Sequence, residues 1–526
     1  MTPIHLIKSS RERKDAKNKK RLVLRLFILF SEERKEKMID VTVIGAGVIG
    51  AAVAYYLSHY DCKVTVLEKE NDVAEGTSIA NSGIVHSGHD PHPGTLKARF
   101  NVEGNRMYPE LCRHLHVLYR QTGAFVVAVS TEETETLKQL KQQAADRGIP
   151  CEEMNGEAAR KLEPNLSDQV IWVLSLPTTG VVDPWEITLG LMEEAVLNGC
   201  ELELNERVTA IKRMEDHYEV TTERDGQQNI WRSRYVVNCA GVHGDDIYRL
   251  LAPAAEFRIT PRRGEYFVLD NATCPLVSRP IYPMPSKLGK GILAIPTIHD
   301  NVLLGPDSEE ITDKENVGTE RSRLDFIRQA LTKTVKNIPF DKVIRSFAGL
   351  RPTGSSGDFV VREEENYPGF IQAIGIESPG LTAAPAIGRY IAEELIGAKE
   401  GYPRKENYQN RRPPVRLFGK SLEEKNQYVA ADERFGRIIC RCESVSEGEI
   451  IDCIQRPVGA RTVKAVKKRV RPGAGRCQGG FCEPRVVELL ARELGVSPLE
   501  ILYDSGRSPL LVEETKQAKG AEHENG

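Results

Sequence analysis

The chain has 526 residues, 40% hydrophobic and 28% charged, with 43 glycines and a net charge of -3. That length exceeds a single ordinary core, so two or three domains are expected, and the near-neutral charge gives no basis for nucleic acid as a partner. No run approaches the ~20 apolar residues of a membrane span; the best candidate, Leu22 to Phe30, includes Arg25.

Residues 1–37 carry twelve Lys/Arg against five Asp/Glu, which leaves the remainder at -10. The segment lacks an apolar signal core and a cleavage site, and Met38 stands directly before the first predicted strand. It therefore reads as a basic, disordered extension, with weak peripheral contact at the inner face of the membrane as the alternative. The expected compartment is cytoplasmic, which argues against a disulfide framework and for metal or redox chemistry at clustered cysteines.

Residues 41–57 read as strand, tight turn and helix, with glycines at Gly45, Gly47 and Gly50. Gly45 permits the turn, Gly47 lets backbone approach a pyrophosphate, and Gly50 allows close helix–strand packing. A second predicted strand ends at Glu68, where a carboxylate accepts hydrogen bonds from a ribose. At this point FAD and NAD both remain open.

The loop TSIANSGIVHSG (residues 77–88) is built from small residues, suited to close approach of a planar cofactor. The order of glycine triplet, acid and this loop resembles the D-amino-acid-oxidase-like flavoprotein superfamily. Further fragments occur in the family's order: TGVVDPWEI (179–187), YVVNCAGVHGDDI (235–247), PRRGEYFVL (261–269), LLGPD (303–307), FAGLRPTG (347–354) and GIESPGLTAAPAIG (375–388). They resemble most closely the branch of glycerol-3-phosphate and L-2-hydroxyglutarate dehydrogenases. The resemblance implies FAD as cofactor, with Thr77, Ser78, Asn81, Ser82 and Gly83 along it. Ala240 and Gly241, at the end of a short apolar run, are placed against its adenosine half. The amides of Gly380, Leu381 and Thr382, at the start of a small-residue helix, are placed at the flavin's pyrimidine edge, an ordinary helix cap being the plainer reading.

Oxidising a hydroxylated carbon needs a base and, for an acidic substrate, a cation. His86, in the cofactor loop, is the candidate base, although a lone histidine is usually structural. Arg351, placed by resemblance on the substrate face, is the candidate anion clamp. Arg262 and Arg263 are weaker candidates that read as a solvated turn, and Lys287 and Lys290 as entrance residues. Residues alone do not separate a phosphate from a carboxylate, so the substrate is a small anionic 2-hydroxy compound.

Residues 406–436 read as a proline-interrupted, basic linker. Beyond it, Cys440 and Cys442 are separated by one residue, and Cys477 and Cys482 by four. Four thiolates bind zinc or an iron–sulfur cluster, and the single-residue gap is less typical of zinc. The segments IICRCESVSEGEI and KAVKKRVRPGAGRCQGGFCEPR resemble the bacterioferritin-associated-ferredoxin-like domain, which implies a 2Fe-2S cluster on those four cysteines. Cys453 fits neither pair and reads as a buried helix residue. Residues 461–476 carry seven Lys/Arg and no acid; they serve either to offset a negative cluster or as a docking surface.

The expected fold class is α/β. A Rossmann-like FAD-binding domain (38–405, from segments near 38–110, 150–250 and 340–400) holds an inserted β-rich substrate domain. A small helical 2Fe-2S domain (437–505) and a disordered tail (506–526) follow. The expected activity is an FAD-dependent dehydrogenation, most closely of glycerol 3-phosphate, with electrons leaving through the cluster to a protein acceptor, a second subunit or a quinone-linked chain. An L-2-hydroxyglutarate, amino-acid or opine dehydrogenase is the alternative enzyme, and a non-catalytic redox relay or sensor the alternative from another class.

Overall fold

The computed structural model describes residues 38–273, 275–284 and 291–514. The basic extension, Lys287, Lys290 and residues 515–526 of the tail lie outside the described residues.

Apolar residues of Ile39–Ile44, fully sequestered at Val41 and Val43, form the central strand of the first sheet. It pairs in parallel with Val64–Leu67 on one side and Gln227–Asn238 on the other. Glu201–Glu203 extends the parallel arrangement beyond Val64–Leu67, and Tyr367–Ile374 beyond Gln227–Asn238. Antiparallel strands Arg207–Arg213, Tyr218–Arg224 and Val360–Glu364 complete the eight described strands. The helices Val48–Leu57, Leu96–His114 and Gly380–Tyr390 pack so closely that a Cβ at Gly104 would meet Thr382 O at 1.9 Å, and one at Gly388 the Ala52 backbone at 2.6 Å.

A second, mixed sheet of nine described strands carries the substrate domain. Its long pair is Ile259–Leu269 against Val343–Gly354, antiparallel from Ile259↔Gly354 to Leu269↔Val343. The expected segment boundaries need correction here. Glu152–Asn155 and Trp172–Ser175, assigned from sequence to the cofactor domain, pair with each other, and Trp172–Ser175 pairs on its other side with Phe125–Ala128 in this second sheet. Val343–Gly354 belongs to it as well. Short strands carry no label for which sheet they join, because pairing is set by contacts distant in sequence.

The C-terminal unit is a short hairpin (Ile438–Cys440, Val445–Ser446) and three helices, Glu447–Gln455, Val463–Val470 and Glu483–Leu494. They close on a small core that includes Ile450, Ile454, Val466, Val486 and Leu490. Ser446 and Glu449 form a reciprocal cap that starts the first of these helices. Within the expected linker, Leu422–Ala431 is helical, and Arg411 is buried and ion-paired to Glu193 at 2.8 Å. Among the described residues no helix is long and apolar enough to cross a membrane.

Candidate functional site

The glycine turn is fixed by sterics. Gly45 has φ +103° and a Cβ there would meet Cys239 O at 2.6 Å, while a Cβ on Gly50 would meet Gly45 O at 1.9 Å. Gly47 is less confined: its Cβ would find only Ser78 Oγ, at 3.3 Å. Ser78 Oγ accepts from Val48 N at 2.9 Å, which ties the loop to the helix start. Glu68 accepts from Ala46 N at 2.6 Å and from Glu70 N at 2.9 Å. Burial raises its carboxyl, and those two amides oppose the rise.

Other loop residues hold the loop's own shape. Thr77 Oγ1 donates to Leu350 O at 2.8 Å, Asn81 bridges Ser78 O and Gly83 N, and Ser82 Oγ meets Tyr266 Oη at 3.0 Å. Gly83, at φ +65°, passes so near Val182 O that a Cβ would lie 2.6 Å away. Ala240 and Gly241 line the same cavity as Gly45, Glu68 and Ser78. Gly380 N donates to Glu377 O at 2.6 Å, so that amide is engaged. The Leu381 and Thr382 amides follow it in the first turn of an uncapped helix whose start faces the cavity.

That cavity is continuous and measures about 2140 Å³, well above the ~300–1,000 Å³ of a single small-ligand pocket. It runs from the glycine turn past the small-residue loop to His86 and Arg351. The residues present thus fit an extended dinucleotide with room for a substrate beside it.

The structure brings His86 and Arg351 to this one cavity. His86 is held from both sides: its N–H donates to Thr382 Oγ1 at 2.9 Å, its carbonyl accepts from Asn101 and Asn105, and its Nδ1 lies 3.1 Å from Tyr282 Oη. Burial raises the Tyr282 phenol far above its ordinary value, so it stays protonated. Arg351 donates to Asp307 O at 3.0 Å, and a Cβ on Gly264 would lie 2.4 Å from its Nη2. Gly264, two residues along the paired strand from Arg262, which faces Arg351, therefore makes the space that the guanidinium occupies. Burial raises the Tyr266 phenol, while Arg351 and Ser82 act against that rise.

The weaker arginine candidates separate. Arg262 sits directly across from Arg351 and lines the cavity. Arg263 is not in a solvated turn: it lies in the strand with its side chain 3% exposed, paired with Glu309 at 2.6 Å and Glu320 at 2.5 Å. Sequence reasoning missed Tyr282 and Tyr266; a tyrosine in a predicted strand carries no mark of which cavity it faces.

In the C-terminal unit the four candidate cysteines come together in two pairs. Cys442 and Cys477 Sγ lie 3.5 Å apart, and Cys440 and Cys482 are in hydrogen-bond contact. The Cys440/Cys482 pair is buried and the other half-buried. The hydrogen bond between Cys440 and Cys482 holds the Cys440 thiol below its ordinary value and pushes the Cys482 thiol up. The backbone amides of Gly473 and Glu443 act to lower the Cys440 thiol, and those of Gly479 and Phe481 the Cys477 thiol. Four sulfurs in two pairs, with amides that favour the thiolate form, are a donor set that fits a binuclear iron–sulfur cluster. Cys453 packs in a helix with Sγ donating to Ile450 O at 3.1 Å, and burial pushes its thiol up to about 12.

The middle of the basic run between the cysteine pairs faces inward, while Arg461 and Arg476 at its ends are exposed. Arg469 lies on Asp72, Lys468 on Asp72 and Glu75, and Lys464 on Glu75 at 2.6 Å, all against the loop after the second strand. It fastens the cysteine unit to the cofactor sheet, which answers the expectation of a docking surface with an internal one.

Comparison with known proteins agrees with this division. The model for "FAD dependent oxidoreductase" matches residues 40–394, and that for "BFD-like [2Fe-2S] binding domain" matches residues 438–492. The chain is 45% identical, over 91% of its length and 99% of the relative's, to a glycerol 3-phosphate dehydrogenase of Caloramator mitchellensis. A human mitochondrial L-2-hydroxyglutarate dehydrogenase is 30% identical over 69% of this chain and 90% of its own. Among solved structures, L-alpha-glycerophosphate oxidase from Mycoplasma pneumoniae with FAD bound superposes with a TM-score of 0.67 and 31% identity, covering 72% of this chain and 98% of that one.

Proposed function

Because the chain belongs to the FAD-dependent oxidoreductase family and carries a BFD-like 2Fe-2S domain, we propose that it oxidises glycerol 3-phosphate to dihydroxyacetone phosphate and passes the electrons through the cluster to an acceptor other than oxygen. The observation that carries the reading is the 45% identity to a glycerol 3-phosphate dehydrogenase across nearly all of that relative, cysteine unit included.

Bound FAD supplies the acceptor for the hydride from the carbinol carbon, and the 2Fe-2S cluster supplies one-electron transfer onward. The chain's residues do the rest. Gly45, Gly47, Gly50, Glu68 and Ser78 seat the dinucleotide. Arg351, its approach cleared by Gly264, binds the phosphate and orients the carbinol. His86 takes the hydroxyl proton at Nε2, which requires Nδ1 to carry a proton and donate it to Tyr282 Oη. Cys440, Cys442, Cys477 and Cys482 hold the cluster.

The final acceptor in this reading is a one-electron protein partner or a quinone-linked chain, met by the cysteine unit or by a second subunit. L-2-hydroxyglutarate is the second reading, since a guanidinium binds carboxylate as well as phosphate and a relative with that activity matches 69% of this chain. The test is anaerobic. With FAD and iron confirmed, glycerol 3-phosphate is to bleach the flavin band while L-2-hydroxyglutarate, lactate and proline do not; bleaching by one of those alone replaces the substrate.

A further inference from the structure

Residues 311–320 leave the substrate sheet and return to it. At the outgoing end the strand Glu309–Glu310 pairs with Arg262 and Arg263, and Ile311 N donates to Pro261 O at 3.0 Å. At the returning end Glu320 N donates to the Glu265 carboxylate at 2.9 Å, and the Glu320 carboxylate accepts from Arg263 at 2.5 Å. All of these partners lie on one strand, Ile259–Leu269. The segment is thus a compact loop whose ends are held close together while its middle reaches elsewhere.

That middle crosses to the cofactor domain. Lys314 Nζ meets Asp245 Oδ1 at 2.5 Å and Asp246 Oδ2 at 2.7 Å. Glu315 Oε1 meets Lys69 Nζ at 3.1 Å and His243 Nε2 at 3.0 Å. Two side-chain turns shape the tip: Asp313 Oδ1 accepts from Glu315 N at 2.9 Å, and Asn316 Oδ1 from Gly318 N at 3.0 Å. Lys69 directly follows Glu68, and His243 closes the short turn that begins at Gly241. The tip is therefore fastened to both walls of the place assigned to the ribose and adenosine. Lys314, Glu315, Val317, Gly318 and Thr319 line the same cavity as Glu68 and Gly241.

We propose that residues 311–320 form a strap that closes over the adenosine end of FAD and sets how long the cofactor stays bound. The proposal rests on the placement of that end at Glu68, Ala240 and Gly241. Lys314 and Asp245 are mostly covered, whereas the Glu315 side chain is 67% exposed and that of Asp246 43%. Partly exposed ion pairs are individually weak and are screened by salt, so the tip can open, and it closes again because its ends stay on the sheet. Entry and release of the cofactor require those pairs to break. The strap residues retain FAD and take no part in the oxidation.

The test is the release of FAD from strongly diluted holoenzyme without substrate, followed as recovery of flavin fluorescence. Lys314→Met combined with Glu315→Gln is expected to release FAD about tenfold faster, the scale of several weak pairs lost together. Lys314→Arg keeps the charge and is expected to keep the wild-type rate. Added salt is expected to speed release from the wild type and to leave the rate of the double variant unaltered. A wild-type rate in the double variant overturns the proposal. So does faster release together with a lowered melting temperature of the FAD-free protein, which would make the pairs a bond between domains rather than a strap on the cofactor. Gly50→Ala separates the strap from the placement it rests on. Wild-type release from the double variant with FAD lost from Gly50→Ala overturns the strap alone, whereas full FAD in Gly50→Ala as well removes the adenosine end from this part of the cavity.

Discussion

Arg469 lays two guanidinium nitrogens on the Asp72 carboxylate, each at 2.8 Å, across 397 positions of chain. The pair is buried, with both side chains 6% exposed, and Lys468 adds a third contact to the same carboxylate. The cysteine unit is thereby held against the loop that leads into the cofactor-binding segment. Electron transfer over a fixed, short separation needs such fastening.

Asp72→Asn removes the acid and leaves Arg469 and Lys468 buried without it, a change that costs about 3–5 kcal/mol. The expected result is a lower melting temperature and slower cluster reduction after flavin reduction. Burial would raise the Asp72 carboxyl, but Arg469 and Lys468 outweigh it and hold the folded value well below the ordinary one. A depressed folded value means that this stabilisation is fully present above about pH 4 and is lost as pH falls toward the folded value. Acid unfolding followed by circular dichroism is expected to show a contribution in that window that Asp72→Asn lacks.

Gly50→Ala places a methyl group 1.9 Å from Gly45 O, and backbone has no flexible end that can yield. The expected protein is depleted of FAD, measured as the flavin-to-protein absorbance ratio. Gly47→Ala meets only Ser78 Oγ among its own atoms; FAD loss there would report the dinucleotide itself, and full retention would remove Gly47 from the cradle.

Arg351→Ala is expected to raise the KM for glycerol 3-phosphate strongly with FAD retained, and Arg351→Lys to recover part of the loss, because an ammonium lacks the planar fork. Unchanged steady-state constants in Arg351→Ala would falsify the anion-clamp role.

His86→Asn is expected to slow flavin reduction by about 10²–10⁴-fold, the span of general-base contributions. Tyr282→Phe, which takes away the partner of Nδ1, is expected to move the pH profile of flavin reduction more than its maximum. Stopped-flow bleaching across pH separates the two. An unaltered rate in His86→Asn returns this histidine to a purely structural role.

Cys477→Ser is expected to lose the cluster, seen as loss of iron and of the visible bands, while substrate still bleaches the flavin. Cys453→Ser is expected to keep it, since that thiol is packed in a helix and bonded to Ile450 O. Full iron in the Cys477 variant would mean that the ligand set is different.

The glycine turn, the acid at Glu68 and the spacing of the cysteines were legible in the chain because each is a short-range constraint: backbone at φ +103°, a strand end, two close thiol pairs. The same locality made Cys453 readable as a helix residue. The basic run was visible as charge, yet its direction was not. Whether Lys468 meets solvent or Asp72 depends on how two units dock, and nothing within ten residues of it records that.

By itself, then, the sequence pointed to the cofactor class and the cysteine-bearing C-terminal unit, through motifs and the family they resemble, and it nominated the candidate site residues, since motifs rest on residue type and local spacing. Only the tertiary structure decided that Glu152–Asn155 and Trp172–Ser175 join the substrate sheet, that Tyr282 stands beside His86, that Gly264 clears room for Arg351, and that Lys468 and Arg469 turn inward onto Asp72. These are contacts between segments far apart in sequence, fixed by strand pairing and burial, and the cost of leaving a charge or a cavity unsatisfied is settled only when the whole chain has closed.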